Sequence, residues 1–231
     1  MTLKTANEPY DYHIDYVGLH DSELHLVARG IMEPFDIHDP AMDPKASSDP
    51  NQSGFGSAYA NHFDMTVHFT GTAKFHGRTY PVDCVTTMDH SWGPRNERGL
   101  RPMGWINGNF GRDFAFSTIW TFDQFRTDWQ QFELAHGYVL REGEVRGLTH
   151  GRIRAIRGGR AFPVGYEAVL TDRDGRDYPL TAVVVNQMPW ACYSNIMGMM
   201  STVRWYHDGR EGYGLAQENW PLDRLAGRWP A

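Results

Sequence analysis

The chain has 231 residues and a formal net charge of −6, enough for one sizeable β domain or two small ones. An acidic balance without a basic run argues against a nucleic-acid partner, and no stretch reaches the ~18 apolar residues that a membrane helix needs. Hydrophobic residues make up 41% of the chain, with 8 Trp, 11 Tyr and 12 Phe, so a full core and broad aromatic surfaces are available. The first nine residues lack an apolar signal segment, which predicts a cytoplasmic protein. Cys84 and Cys192 fit no metal spacing, lie in apolar runs and read as buried free thiols.

In chain order, residues 8–33 read as two strands around Leu19-His20-Asp21-Ser22. Residues 33–60 lose all periodicity among prolines, glycines and aspartates, which predicts a long loop, either a lid or a solvated connection. Residues 62–76 alternate strongly. Phe63, Met65, Val67 and Phe69 point one way, while His62, Asp64, Thr66, His68 and Thr70 point the other. The polar face is expected to meet solvent or to line a barrel lumen. His76-Gly77-Arg78 turns the chain into a strand over 79–87.

Further strands follow over 103–110, carrying Trp105, and over 113–122, 132–140, 144–156, 162–170 and 178–185. Arg141-Glu142-Gly143 and Asp174-Gly175 supply hairpin turns. Arg152 and Arg154 share a strand face that reads as a solvated edge. Residues 186–202, with Met188, Trp190, Tyr193 and Met197, suit an adaptable pocket wall or ordinary core. A last hairpin turns at Asp208-Gly209, and residues 219–231 form an irregular tail. About ten to twelve short strands predict an all-β barrel or strongly curved sandwich, taken as a single domain over 1–231.

The densest polar stretch is Asp89-His90-Ser91-Trp92-Gly93-Pro94-Arg95, expected at the end of the 79–87 strand. It reads either as a polar site or as a turn in which Asp89 pairs with Arg95. The stretch resembles the D-H-S-W-G-x-R motif of the two-part, lipocalin-like superfamily of carotenoid 1,2-hydratases, kievitone hydratase and Diels-Alderase-type cyclases. His62-Phe63-Asp64-Met65 is similar to an upstream strand of those proteins, and Asp208-Gly209-Arg210-Glu211-Gly212-Tyr213-Gly214 to their closing hairpin. The resemblance covers roughly residues 60–220. It implies a lipocalin-like antiparallel barrel, of which the chain looks like the second half. A homodimer, or a separate partner supplying the first half, is then expected.

Metal and nucleotide chemistry find little support. His62 and His68 lie ~20 Å apart on an extended strand, so they cannot share an ion. No H-x-x-x-H, phosphate loop or nucleophile elbow occurs. What remains is cofactor-free acid–base chemistry in an apolar cavity, where a buried carboxylic acid can stay protonated and aromatic faces stabilise a cation. By resemblance to the hydratases, Asp89 is the expected general acid, with His90 as a second proton-transfer group. His62 and Asp64 orient water or act as base. Trp92, Arg95, Trp105, Tyr193 and Met197 are expected to contact substrate, and Tyr138, Tyr193, Tyr206 and Tyr213 are further candidate hydroxyls.

The expectation is a hydratase, dehydratase or isomerase acting on a hydrophobic terpenoid, steroid or polyketide-like substrate. A non-catalytic binder of lipophilic ligands and a Diels-Alderase-type cyclase are the alternatives.

Overall fold

A computed structural model describes residues 1–47, 61–93, 102–123, 125–126, 128–158 and 161–228. Its strands divide between two sheets. The first holds β1 (Thr2–Thr5), β2 (Asp11–Val17), β3 (Glu23–Gly30), β4 (Phe35–Asp36), β5 (Asn61–Phe75) and β6 (Arg78–Trp92). It is antiparallel and open, with β6 on its edge.

The second is a closed eight-stranded barrel made of β7 (Met103–Asn109), β8 (Phe114–Phe122), β9 (Phe132–Arg141), β10 (Glu144–Ile156), β11 (Gly165–Asp172), β12 (Asp177–Tyr193), β13 (Ile196–His207) and β14 (Arg210–Pro221). The all-β, lipocalin-like class is therefore correct, but the barrel takes only the strands from Met103 onward. The described residues before it build the open sheet.

Local chemistry explains the hairpins. His76-Gly77, Glu142-Gly143 and Asp208-Gly209 each place both turn residues at positive φ, as a two-residue loop between twisted strands requires. Residues 186–202, which showed no clear element in the sequence, form the long β12–β13 hairpin. Two irregularities, between Val184 and Asn186 and between Trp190 and Tyr193, interrupt the alternation there. The tail is not wholly irregular. β14 runs to Pro221, and a short helix follows over Leu222–Arg228 with Asp223 in its first turn.

The barrel lumen is packed. Phe116, Trp120, Tyr166, Trp205 and Trp220 are fully buried there with Ile106, Val139 and Val203. Each such side chain contributes about 1.5–3 kcal/mol by leaving water. A second core lies where the open sheet meets the barrel. It runs from Phe63, Met65 and Val67 inside the open sheet, through Phe35, to Ala115, Ile119, Tyr138 and Leu140 of β8 and β9.

Part of the segment read as a loop belongs to this junction. Phe35 and Ile37 are buried, and Asp43 is fully buried with its Oδ2 2.5 Å from Nδ1 of His136 on β9. Arg173 donates to the carbonyls of Ala41 and Met42. Gly147 permits the contact, because a Cβ there would stand 2.2 Å from the Met42 carbonyl oxygen. Residues 31–47 thus strap the sheet to the barrel, while 48–60 lie outside the described residues.

Two smaller expectations resolve as well. Arg152 and Arg154 stack on Trp129 at 5.0 and 5.1 Å, and Arg154 pairs with Glu167 and Asp128. Both cysteines are free, but Cys84 is exposed and Cys192 half-buried.

Candidate active site

β5 is buried on both faces over its first half. Phe63, Met65 and Val67 fill the sheet's own core, while His62 (4% exposed), Asp64 (2%) and Thr66 (0%) point the other way. That polar face meets neither solvent nor a lumen. It is pressed against the outer wall of the barrel, where β7, β8 and β9 supply polar partners. This replaces the expectation that the polar face meets solvent or lines a lumen, and aromatic side chains fill the lumen itself.

Asp64 is the centre of the arrangement. Ser117 Oγ donates to its Oδ2 at 2.9 Å, and Trp105 Nε1 reaches the same oxygen at 3.3 Å. Trp105 Nε1 also donates to Ser117 Oγ at 3.1 Å. The other carboxylate oxygen lies 3.3 Å from Nε2 of His62. Phe35 sits directly across the ladder from Asp64, and its ring lies 5.2 Å from that of Tyr138. The Tyr138 hydroxyl shares a 2.8 Å hydrogen bond with Thr66 Oγ1. Burial, and after it the negative charge of Asp64, pushes the Tyr138 phenol well up from its ordinary value, so it stays neutral. On the neighbouring strand Thr87 Oγ1 donates to Asn109 Oδ1 at 3.3 Å.

The motif residues meet this site unequally. β6 runs through Trp92, so the motif extends the strand instead of following it. Successive residues therefore point to opposite faces. Asp89 stands directly opposite Asp64, and Ser91 directly opposite His62. Paired positions of this kind hold their Cβ atoms about 4.5–5.5 Å apart on one face. Asp89 is exposed and forms the solvent side of a carboxyl pair whose inner member is buried.

His90 and Trp92 project from the other face. His90 packs on Phe63 at 5.4 Å and on Trp92 at 5.2 Å. The expected partnership of Asp89 with the Trp92 indole and the His90 imidazole is thus divided by the pleat. The aromatic ring beside the carboxyl pair is Trp105.

The other expected contacts are spread out. Met197 is half-buried opposite Trp220, and Tyr193 lies exposed near the tip of the β12–β13 hairpin. Tyr206 and Tyr213 are exposed on the barrel. Arg95 lies outside the described residues. The sequence reading missed Ser117 and Asn109, whose only signal was a polar residue among apolar ones, and it placed Thr66 on the polar face of β5 without giving it a role. Among the described residues no three His, Cys, Asp or Glu side chains converge as a metal site would require. No helix among them is long and apolar enough to cross a membrane.

The fold has close relatives in shape. Kievitone hydratase from Nectria haematococca superposes with a TM-score of 0.59 at 12% identity, covering 96% of this chain and 69% of that one. An AttH-like protein from Nitrosomonas europaea superposes with a TM-score of 0.64 at 13% identity, covering 92% of this chain and 66% of that one. The likeness takes in the open sheet as well as the barrel, so it reaches beyond residues 60–220. The chain spans about two thirds of the length of each solved structure. At these identities the likeness shows a shared fold. No curated protein matches the sequence. A family model described as "Domain of unknown function (DUF7064)" matches residues 1–222. The chain is a member of that family, built on a lipocalin-like all-β fold.

Proposed function

We propose that the chain is a cofactor-free acid–base enzyme, a hydratase, dehydratase or isomerase, whose site is the junction of the open sheet with the barrel wall. Its substrate is a hydrophobic terpenoid, steroid or polyketide-like molecule. The observation that supports this is the carboxyl pair, with buried Asp64 facing exposed Asp89 across one ladder and His62 within 3.3 Å of Asp64. A carboxyl open to solvent can be reloaded with a proton between turnovers, while a buried, hydrogen-bonded carboxylate fixes the imidazole beside it, so one ladder face presents an acid and a base to one substrate.

In a dehydration, Asp89 gives a proton to the departing hydroxyl and is reprotonated from solvent. His62, oriented by Asp64, takes a proton from the neighbouring carbon and releases it to solvent, so no net proton is consumed. The carbon–oxygen bond breaks, the double bond forms, and water leaves. Hydration runs the same steps backwards. Ser117 and Trp105 fix the Asp64 carboxylate, and Tyr138 and Phe35 keep water from its inner side.

The test is native mass spectrometry with lipid extraction on wild type, Asp89→Asn and Asp64→Asn. The expected result is a co-purified lipophile that accumulates intact in the variants, while wild type carries a form differing by one water. The same unchanged molecule in all three proteins would replace the enzyme by a lipophile-binding protein. An isomeric, ring-closed product in wild type would favour the cyclase.

A further inference from the structure

The exposed apolar residues of the β12–β13 hairpin are not scattered. Met188 stands opposite Met200, Met200 opposite Gln217, and Gln217 opposite Trp105. Directly opposed residues on antiparallel strands project to the same side. These four therefore form one row along the outer wall of the barrel, ending at the indole that reaches Asp64. Three strand spacings of about 4.8 Å place Met188 ~14 Å from Trp105. In the next row Trp190 stands opposite Gly198, which is buried beside Met200 and the Asn219 side chain.

The hairpin stands clear of its neighbour. The β11 ladder ends at Val183, the Val184 amide and the Gln187 side chain still donate to the carbonyls of Val164 and Pro163, and beyond Gln187 β12 pairs with β13 alone among the described residues. Met188 is 55% exposed and Trp190 46%. Pro189, between them, has no N–H to offer, which protects the free edge against an added strand from another protein. None of these wall residues carries a charge. Methionine and tryptophan offer polarizable surfaces that adapt to apolar shapes.

We propose that this wall holds the apolar body of an elongated lipophilic molecule whose reacting end lies at Asp64. The inference rests on the acid–base reading for that end alone. It adds that the substrate is about 15 Å long, uncharged along its body, and bound across strands β7, β14, β13 and β12.

The experiment is calorimetric titration with straight-chain primary alcohols from octanol to hexadecanol, on wild type, on Met188→Ser/Trp190→Ser, and on Asp64→Asn. In wild type, affinity should rise about three- to fourfold per added methylene. The double variant should match wild type for octanol and lose at least about tenfold for hexadecanol. Asp64→Asn should keep the chain-length dependence unchanged. The proposal is overturned if no alcohol binds wild type, or if the double variant loses nothing or loses equally at every length. It is also overturned if sedimentation shows the double substitution converting a dimer to a monomer, since the patch would then belong to a second copy. Should Asp64→Asn retain conversion of the co-purified lipophile while the length dependence holds, the acid–base reading fails and the wall stands.

Discussion

Glu218 is the most heavily bonded acid in the barrel lumen, and Glu218→Leu tests whether the lumen is a packed scaffold. The side chain is fully buried. Arg157 Nη2 donates to its two oxygens at 2.8 and 2.6 Å. Tyr166 Oη and Trp220 Nε1 each donate at 3.0 Å. Leucine fills a similar volume but accepts none of these bonds, and it leaves the guanidinium of Arg157, 9% exposed, without its counter-charge. Breaking a buried pair in this way costs about 3–5 kcal/mol. For a chain of this size each kcal/mol moves Tm by about 2–4 °C, so a fall of roughly 6–20 °C is expected.

Differential scanning calorimetry and urea unfolding measure it, with the denaturant slope expected to stay constant. Adding Arg157→Met should recover most of the loss, because two apolar groups need no counter-charge. A loss below about 1 kcal/mol would refute the reasoning, as would a double variant no better than the single.

Four further outcomes are expected. The Asp172 carboxyl is held below its usual range: burial opposes this, but hydrogen bonds from Tyr178 and from the Arg176 and Asp174 amides outweigh it. The unfolded chain then binds more protons near pH 4, so Asp172 stabilises the fold above that value, and the difference from Asp172→Asn should vanish as pH falls through the depressed pKa. Tyr178, pushed up to about 12 by burial and by Asp172, should give the opposite slope. Its contribution is complete below pH ~10 and lost as pH rises towards 12, readable in urea midpoints against Tyr178→Phe.

Gly147→Val would drive a side chain into the Met42 carbonyl and Pro44, so hydrogen exchange of residues 37–46 should accelerate while exchange in the barrel lumen holds. Asp43→Asn should lower stability by about 1–3 kcal/mol through the buried bond to His136, and an unchanged urea midpoint would show that the strap is not fastened there.

Hairpins, strand faces and the all-β class were legible because their causes are local. Alternation over 62–76 follows from the pleat, and the Asp208-Gly209 turn from two residues that tolerate positive φ. The separation of Asp89 from His90 and Trp92 was equally within reach. It follows once β6 is extended through the motif, and only the expected strand end at Thr87 concealed it.

The partition into an open sheet and a barrel was not legible, since a period of two identifies a strand and not its partner. Asp43 looked like a loop aspartate, because its partner His136 lies 93 positions away. The polar face of β5 presented the same ambiguity. Sequence alone determined that His62, Asp64 and Thr66 share one side. Only the packing of that side against Ser117, Trp105 and Tyr138 made it a buried site, because burial is set by what lies across the junction, and no local rule carries that information.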